Sequence, residues 1–261
     1  DYRSSRGLGD VYKRQELFMK DFYGIASTIS DFNELFIQYC HESFKNNKKN
    51  KSIKTKNLLL KDILDIFHKI GNRNKEFYID LKTLSSIKSS MRKIKDQEFL
   101  RSNIQKSFIK LLTSKYNLSS ILKKLKQLGL LKRLIPEFGE IEGQIQFDTF
   151  HSYSVDEHTF KVVRNMRQMF INKLCPTLKM EYEVIRKLPK IEILYLAGIF
   201  HDLGKGKGGD HSKIGLKIFK KFALRSEMNA SDSFLIGWLV ENHLFMSCLL
   251  YTSDAADEHS W

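Results

Sequence analysis

The chain has 261 residues, 42% hydrophobic and 28% charged, enough for one substantial core or two modest ones, and this excludes fibrous and disordered classes. No stretch approaches the roughly 18 uninterrupted apolar residues of a membrane span and the start lacks a secretory apolar core, so a soluble, cytoplasmic protein without a membrane partner is expected. The net charge of +14 invites a nucleic-acid reading, yet lysine–asparagine runs such as residues 45–51 are what an AT-rich coding sequence yields without selection for a partner, and nucleic acid is not the expected one.

In chain order, the first fifteen residues and the last fourteen look foreign to the rest. Asp10-Val11-Tyr12-Lys13-Arg14-Gln15 resembles the translation of a transposon end, and Cys248-Leu249-Leu250-Tyr251-Thr252-Ser253 resembles its reverse complement read in another frame. Residues 1–15 and 248–261 are therefore expected to be adapter-derived, leaving 40 Lys/Arg against 25 Asp/Glu, or +15, in 16–247. Cys40, Cys175 and Cys248 are too far apart for a disulfide framework or a CxxC knuckle, as suits a reducing compartment.

From Glu16 to about Gly139 apolar residues recur at three and four, as in Phe18, Phe22, Ile25, Ile29, Phe32 and Phe36 and again in Ile104, Phe108, Leu111 and Leu112, which predicts helices. Residues 45–57 form a polar break, Phe77-Tyr78-Ile79 could be extended but has no hairpin partner, and Gly129 and Pro136–Gly139 close a helical region over 16–140. Past Asp148 the pattern changes. Ser154-Val155-Asp156-Glu157 has the form of a capping box, predicting a helix along which Val155, His158, Val162, Met166 and Met169 share a face. Further helices are expected over about 190–202, with Leu194, Ala197 and His201 on one face and Asp202 at its end; after Asp210, starting at His211; and over about 232–246, with Ile236, Leu239 and His243 together. Asp156 and Glu157 are expected to serve the helix N-terminus electrostatically.

One histidine on an apolar face is usually a packed core residue. Four such histidines and an adjacent aspartate point instead to a shared divalent metal, since buried imidazoles need partners and nitrogen plus carboxylate donors suit such an ion. His201-Asp202 carries the most specific signal, because at a helix end two consecutive side chains can reach one ion. Gly204-Lys-Gly-Lys-Gly-Gly209 lacks the order of a P-loop and reads as a flexible connection that lets the His211 helix fold back.

The succession His158, His201-Asp202 and later histidines resembles the HD metal-dependent phosphohydrolase superfamily. Residues 135–148 (IPEFGEIEGQIQFD), 150–158 (FHSYSVDEH), 208–212 (GGDHS) and 238–247 (WLVENHLFMS) resemble, more sharply, the bifunctional uridylyltransferase/uridylyl-removing enzymes that modify the nitrogen regulatory protein PII. The resemblance implies an all-α fold: a helical transferase-associated region (16–140) followed by an HD domain (141–247) truncated at its C-terminus, with the nucleotidyltransferase and ACT domains of such enzymes outside the chain. Asp62 and Asp65 do not have the setting of a transferase's paired carboxylates and are expected to face solvent.

On this resemblance His158, His201 and Asp202 are expected as direct ligands of a divalent ion, magnesium or manganese. His211 and His243 would ligate a second ion or position phosphate and water, and Lys205 would meet phosphate. The implied reaction is hydrolysis of a phosphodiester, with uridylylated PII as substrate and UMP as product. The family usually pairs two histidines where this chain has Asn242-His243, and its last aspartate ligand would fall beyond residue 247, so an incomplete metal sphere is expected. Two other readings are a general HD nucleotide or cyclic-dinucleotide phosphohydrolase and a basic helical nucleic-acid-binding module.

Overall fold

The computed structural model describes residues 2–44, 58–75, 77–145, 153–171 and 179–245. Its elements are all helices: α1 (Tyr2–Phe44), α2 (Leu60–Gly71), α3 (Leu81–Met91), α4 (Asp96–Phe99), α5 (Ser102–Leu112), α6 (Leu118–Gln127), α7 (Leu131–Leu134), α8 (Phe138–Ile141), α9 (Val155–Ile171), α10 (Lys179–Arg186), α11 (Ile191–Phe200), α12 (His211–Arg225) and α13 (Ala230–Glu241). The fold is all-α, and no strand occurs among the described residues; Phe77–Ile79 form a non-helical approach to α3. The polar break at 45–57 lies outside the described residues, as do the segment after residue 245 and Cys175.

The chain divides into two compact units, Asp1–Arg164 and Asn165–Trp261. The division falls within α9, whose first turns belong to the first unit.

In the first unit α2 packs on α5 and α6. Ile63, Leu64 and Phe67 meet the buried faces carrying Phe108, Leu111, Leu112, Ile121 and Leu122, all at most 1% exposed. Burying each such side chain contributes about 2 kcal/mol. Asp80 caps α3 by accepting from the Thr83 N–H at 2.9 Å, and exposed Asp62 accepts from Leu59 N–H at 3.1 Å; each cap is worth about 1 kcal/mol.

The long helix α1 behaves otherwise. Its stripe Phe18, Phe22, Ile25, Ile29, Phe32 and Phe36 has helical spacing but is 53–67% exposed. Polar contacts attach the helix instead: Glu34 pairs with Lys124 at 2.7 Å, Gln127 donates to Asp31 at 2.8 Å, and Gln38 donates to the Ile79 carbonyl at 2.7 Å. Near its end Tyr78 donates its hydroxyl to Glu42 Oε1 at 2.6 Å. Burial, then the adjacent Glu42 carboxylate, pushes the Tyr78 phenol up to about 12. Because the folded value is raised, the stability this gives is complete below the ordinary tyrosine value of about 10 and is lost as pH climbs toward the folded value. Phenolate absorbance should show one tyrosine ionising near pH 12, and Tyr78→Phe should remove that late transition; titration of all ordered tyrosines near pH 10 would contradict it.

The second unit is built from α11, α12 and α13. Residues 195–200 of α11 are buried on all sides, so this helix is a core element rather than an amphipathic surface one. Phe200 meets Phe219 edge-on at 5.3 Å and Phe222 at 5.0 Å, and Ile236 and Val240 of α13 complete the core. No helix among the described residues is long and apolar enough to cross a membrane.

Candidate metal centre

Three of the expected site residues stand at helix ends rather than along helix faces. His201 is the C-cap of α11, His211 is the first residue of α12, and His243 lies in the turn after α13. The sequence explains each placement. Asp210 caps α12 by accepting from Ser212 N–H at 3.0 Å and Lys213 N–H at 3.3 Å, which fixes His211 in the first turn. Asn229 caps α13 by accepting from Asp232 N–H at 2.8 Å, so the helix starts at Ala230, slightly before the predicted 232, and ends at Glu241.

Gly204 allows α12 to fold back onto the end of α11. A Cβ there would lie 2.1 Å from the His211 carbonyl oxygen, closer than any atoms can approach. The turn reads less as a flexible tether than as a close backbone crossing.

Asp202, only 2% exposed, is the hub. Its Oδ2 lies 3.1 Å from His201 Nε2 and 3.0 Å from Lys205 Nζ. Its Oδ1 faces His243 Nε2 at 3.6 Å and His211 Nε2 at 3.8 Å. The Nε2 atoms of His211 and His243 are 3.4 Å apart, and one oxygen of Asp202 with one nitrogen from each ring lies within 4.8 Å of the others.

Two of the rings are oriented in the same way. His201 Nδ1 lies 2.8 Å from the Gly198 carbonyl and His243 Nδ1 lies 2.7 Å from the Val240 carbonyl, each three residues back. A carbonyl oxygen only accepts, so Nδ1 carries the proton and, in the neutral ring, the lone pair is on Nε2, the atom turned toward Asp202. Such outer hydrogen bonds fix the tautomer of metal-bound histidines in known sites.

Burial opposes a charge on Asp202, but the hydrogen bond and charge of His201 and the Lys205 ammonium outweigh it and hold the carboxyl well below the usual carboxylate range. Burial lowers His211 and His243, against the pull of the carboxylate. The His211 and His243 imidazoles, both shifted toward the neutral form, beside an ionised carboxylate form a donor set that fits a divalent cation.

Other expected residues are placed as follows. Lys205 is 8% exposed and directed at Asp202. Asn242, where the resembled family has a second histidine, donates to the Trp238 carbonyl at 2.9 Å and so closes the end of α13. His158 is half-buried on α9 in the first unit, its N–H donating to the Ser154 carbonyl at 2.8 Å; its place in the ligand set rests on the sequence pattern. Fully buried on α9 are Asp156, Thr159 and Val163, displaced by one position from the predicted stripe. Asp156 and Glu157, expected to serve their own helix terminus, both contact Lys126 of α6. Sequence reasoning missed the carbonyls of Gly198 and Val240; the shared three-residue offset before each histidine is the signal that could have found them.

Residues 155–254 match the family model of the HD domain, a metal-dependent class, and the all-α fold agrees with that match. The chain is further similar to proteins named bifunctional uridylyltransferase/uridylyl-removing enzyme. It is 31% identical to that of Pseudomonas aeruginosa over 95% of its own length and 32% identical to that of Nitrosococcus oceani over 93%. Over 150 residues, 58% of the chain, it is 43% identical to that of Azotobacter vinelandii. It spans 30%, 29% and 17% of these proteins respectively.

Proposed function

We propose that this chain carries the uridylyl-removing site of a bifunctional enzyme acting on PII, hydrolysing the phosphodiester of uridylylated PII and releasing UMP. The observation that carries this reading is the convergence of Asp202, His201, His211 and His243, in an HD domain, within a chain homologous to enzymes named for that removal. His158 joins as a further ligand on the strength of the sequence pattern. The ion is magnesium or manganese, and the imidazole-rich donor set weights manganese.

When bound, such an ion lowers the pKa of its water and polarises a phosphoryl oxygen. The chain's own groups do the rest. His201 and His243, with Nδ1–H held by backbone carbonyls, keep Nε2 facing the site without ring reorientation. Asp202 supplies the negative charge that counters the ion. Lys205, buried beside that carboxylate, restrains it and places a positive charge where an incoming phosphate would need one. His211, at the first turn of α12, is placed to orient phosphate or water as well as to ligate.

With manganese and uridylylated PII the parent enzyme is expected to release UMP, measured by chromatography, and His201→Ala in it to slow release by at least about 100-fold. Fast cleavage of free nucleotides or cyclic dinucleotides with no action on uridylylated PII would make it a general HD phosphohydrolase. Nucleic-acid binding that falls steeply with salt and ignores His201→Ala would make it a binding module.

A further inference from the structure

We infer that Lys126 and Asp156 are positioning residues that set the rotation of α9 and thereby the direction of His158. This rests on the reading of His158 as a metal ligand. Asp156 is fully buried, yet it is spent on contacts outside its own helix. One carboxylate oxygen accepts from the Gly143 N–H at 3.0 Å, and the other pairs with Lys126 of α6. The same ammonium lies 3.2 Å from Glu157 Oε1.

The neighbouring positions are held from the same side. Val155 N–H donates to the Gln144 carbonyl at 2.9 Å, and the Phe160 ring packs on Phe138 of α8 at 5.6 Å. Gly143 in turn lies against α1, since a Cβ on it would stand 3.1 Å from the Lys20 carbonyl oxygen. Residues 155, 156, 157 and 160, on either side of His158 in the chain, are thus gripped by α6, α8 and the segment after α8.

Geometry says why such a grip matters. Asp156 and His158 are separated by about 200° around the helix, so anchoring one fixes where the other points. A rotation of about 20° would sweep a side-chain tip about 6 Å from the axis through about 2 Å. Ligand distances in metal sites tolerate only about 0.2 Å. Apolar packing alone permits small rotations. A buried ion pair with a fixed N–H donor has one good geometry, and such pairs contribute more dependably to register than to net stability.

The test uses the whole chain and manganese titration, with thermal melting as a check on folding. Lys126→Met and Asp156→Asn should each weaken manganese binding about 10-fold, the double variant no more than either alone, and Lys126→Arg should keep near-normal affinity. The deciding measurement is made in a His158→Ala background, where Lys126→Met should have no further effect. If Lys126→Met weakens binding as much there as in the parent, or leaves the parent unchanged, the positioning role is overturned. If His158→Ala itself leaves affinity unchanged, the proposed ligand set fails instead. Should Lys126→Met not fold, Asp156→Asn, which keeps an acceptor for Gly143, gives the same comparison.

Discussion

Asp202→Asn should reduce divalent-metal affinity by at least about 100-fold, the scale on which even outer-sphere partners of metal sites can be felt. The substitution preserves volume, so the effect is electrostatic. Two carboxylate oxygens now face four nitrogens: Oδ2 toward His201 and Lys205, Oδ1 toward His211 and His243. An amide supplies no net charge to hold an ion among the imidazoles, and it removes the carboxylate charge that faces Lys205. Metal content measured after chelation and reloading decides the matter; unchanged stoichiometry in Asp202→Asn would remove Asp202 from the centre.

Gly204→Ala should be nearly as damaging although the residue bears no chemistry. The added methyl would stand 2.1 Å from the His211 carbonyl oxygen and 3.0 Å from the Gly215 nitrogen, and both are backbone atoms that cannot swing aside. Relief requires α12 to lift from the end of α11, at a cost of about 3 kcal/mol or more. In a chain of this size that is about 6–12 °C in melting temperature. Because α12 begins at His211, the same movement withdraws an imidazole, so metal affinity should fall together with stability. Gly208→Ala is the control: no atom lies within 4 Å of its added Cβ, and only the positive φ of 74° penalises it, by about 1 kcal/mol. Equal melting temperatures for the two variants would refute the close crossing.

Much of this was readable from residue order alone. The helical class follows from three-four spacing across Ile104–Leu112 and from the absence of proline before Pro136. The start of α12 follows from Asp210, because a short polar acceptor before an apolar run closes a helix N-terminus, whereas sequence reasoning missed the cap at Asn229 and the expected start of α13 lies two residues late. His201-Asp202 pointed to the candidate centre because two adjacent side chains reach one place only at a helix end. What escaped notice depends on distance in space. The spacing of Phe18 to Phe36 specifies a helix but not what covers it, and in this structure the stripe is open. The pairing of Lys126 with Asp156 joins residues thirty positions apart, and nothing local distinguishes Lys126 from the solvated lysines around it.

The backbone hold on His201 and His243 bears on how this site would tolerate sequence drift. Their orienting acceptors are main-chain carbonyls, at positions 198 and 240, so no side-chain replacement at either position deletes the acceptor itself. Both positions are buried, so replacements there would act through packing and not by deleting an acceptor, while changes that unwind the last turn of α11 or α13 would blind a histidine without touching it. The ring alignment is inherited from helical geometry, and mutational vulnerability shifts from the residues that orient the rings to those that terminate the helices.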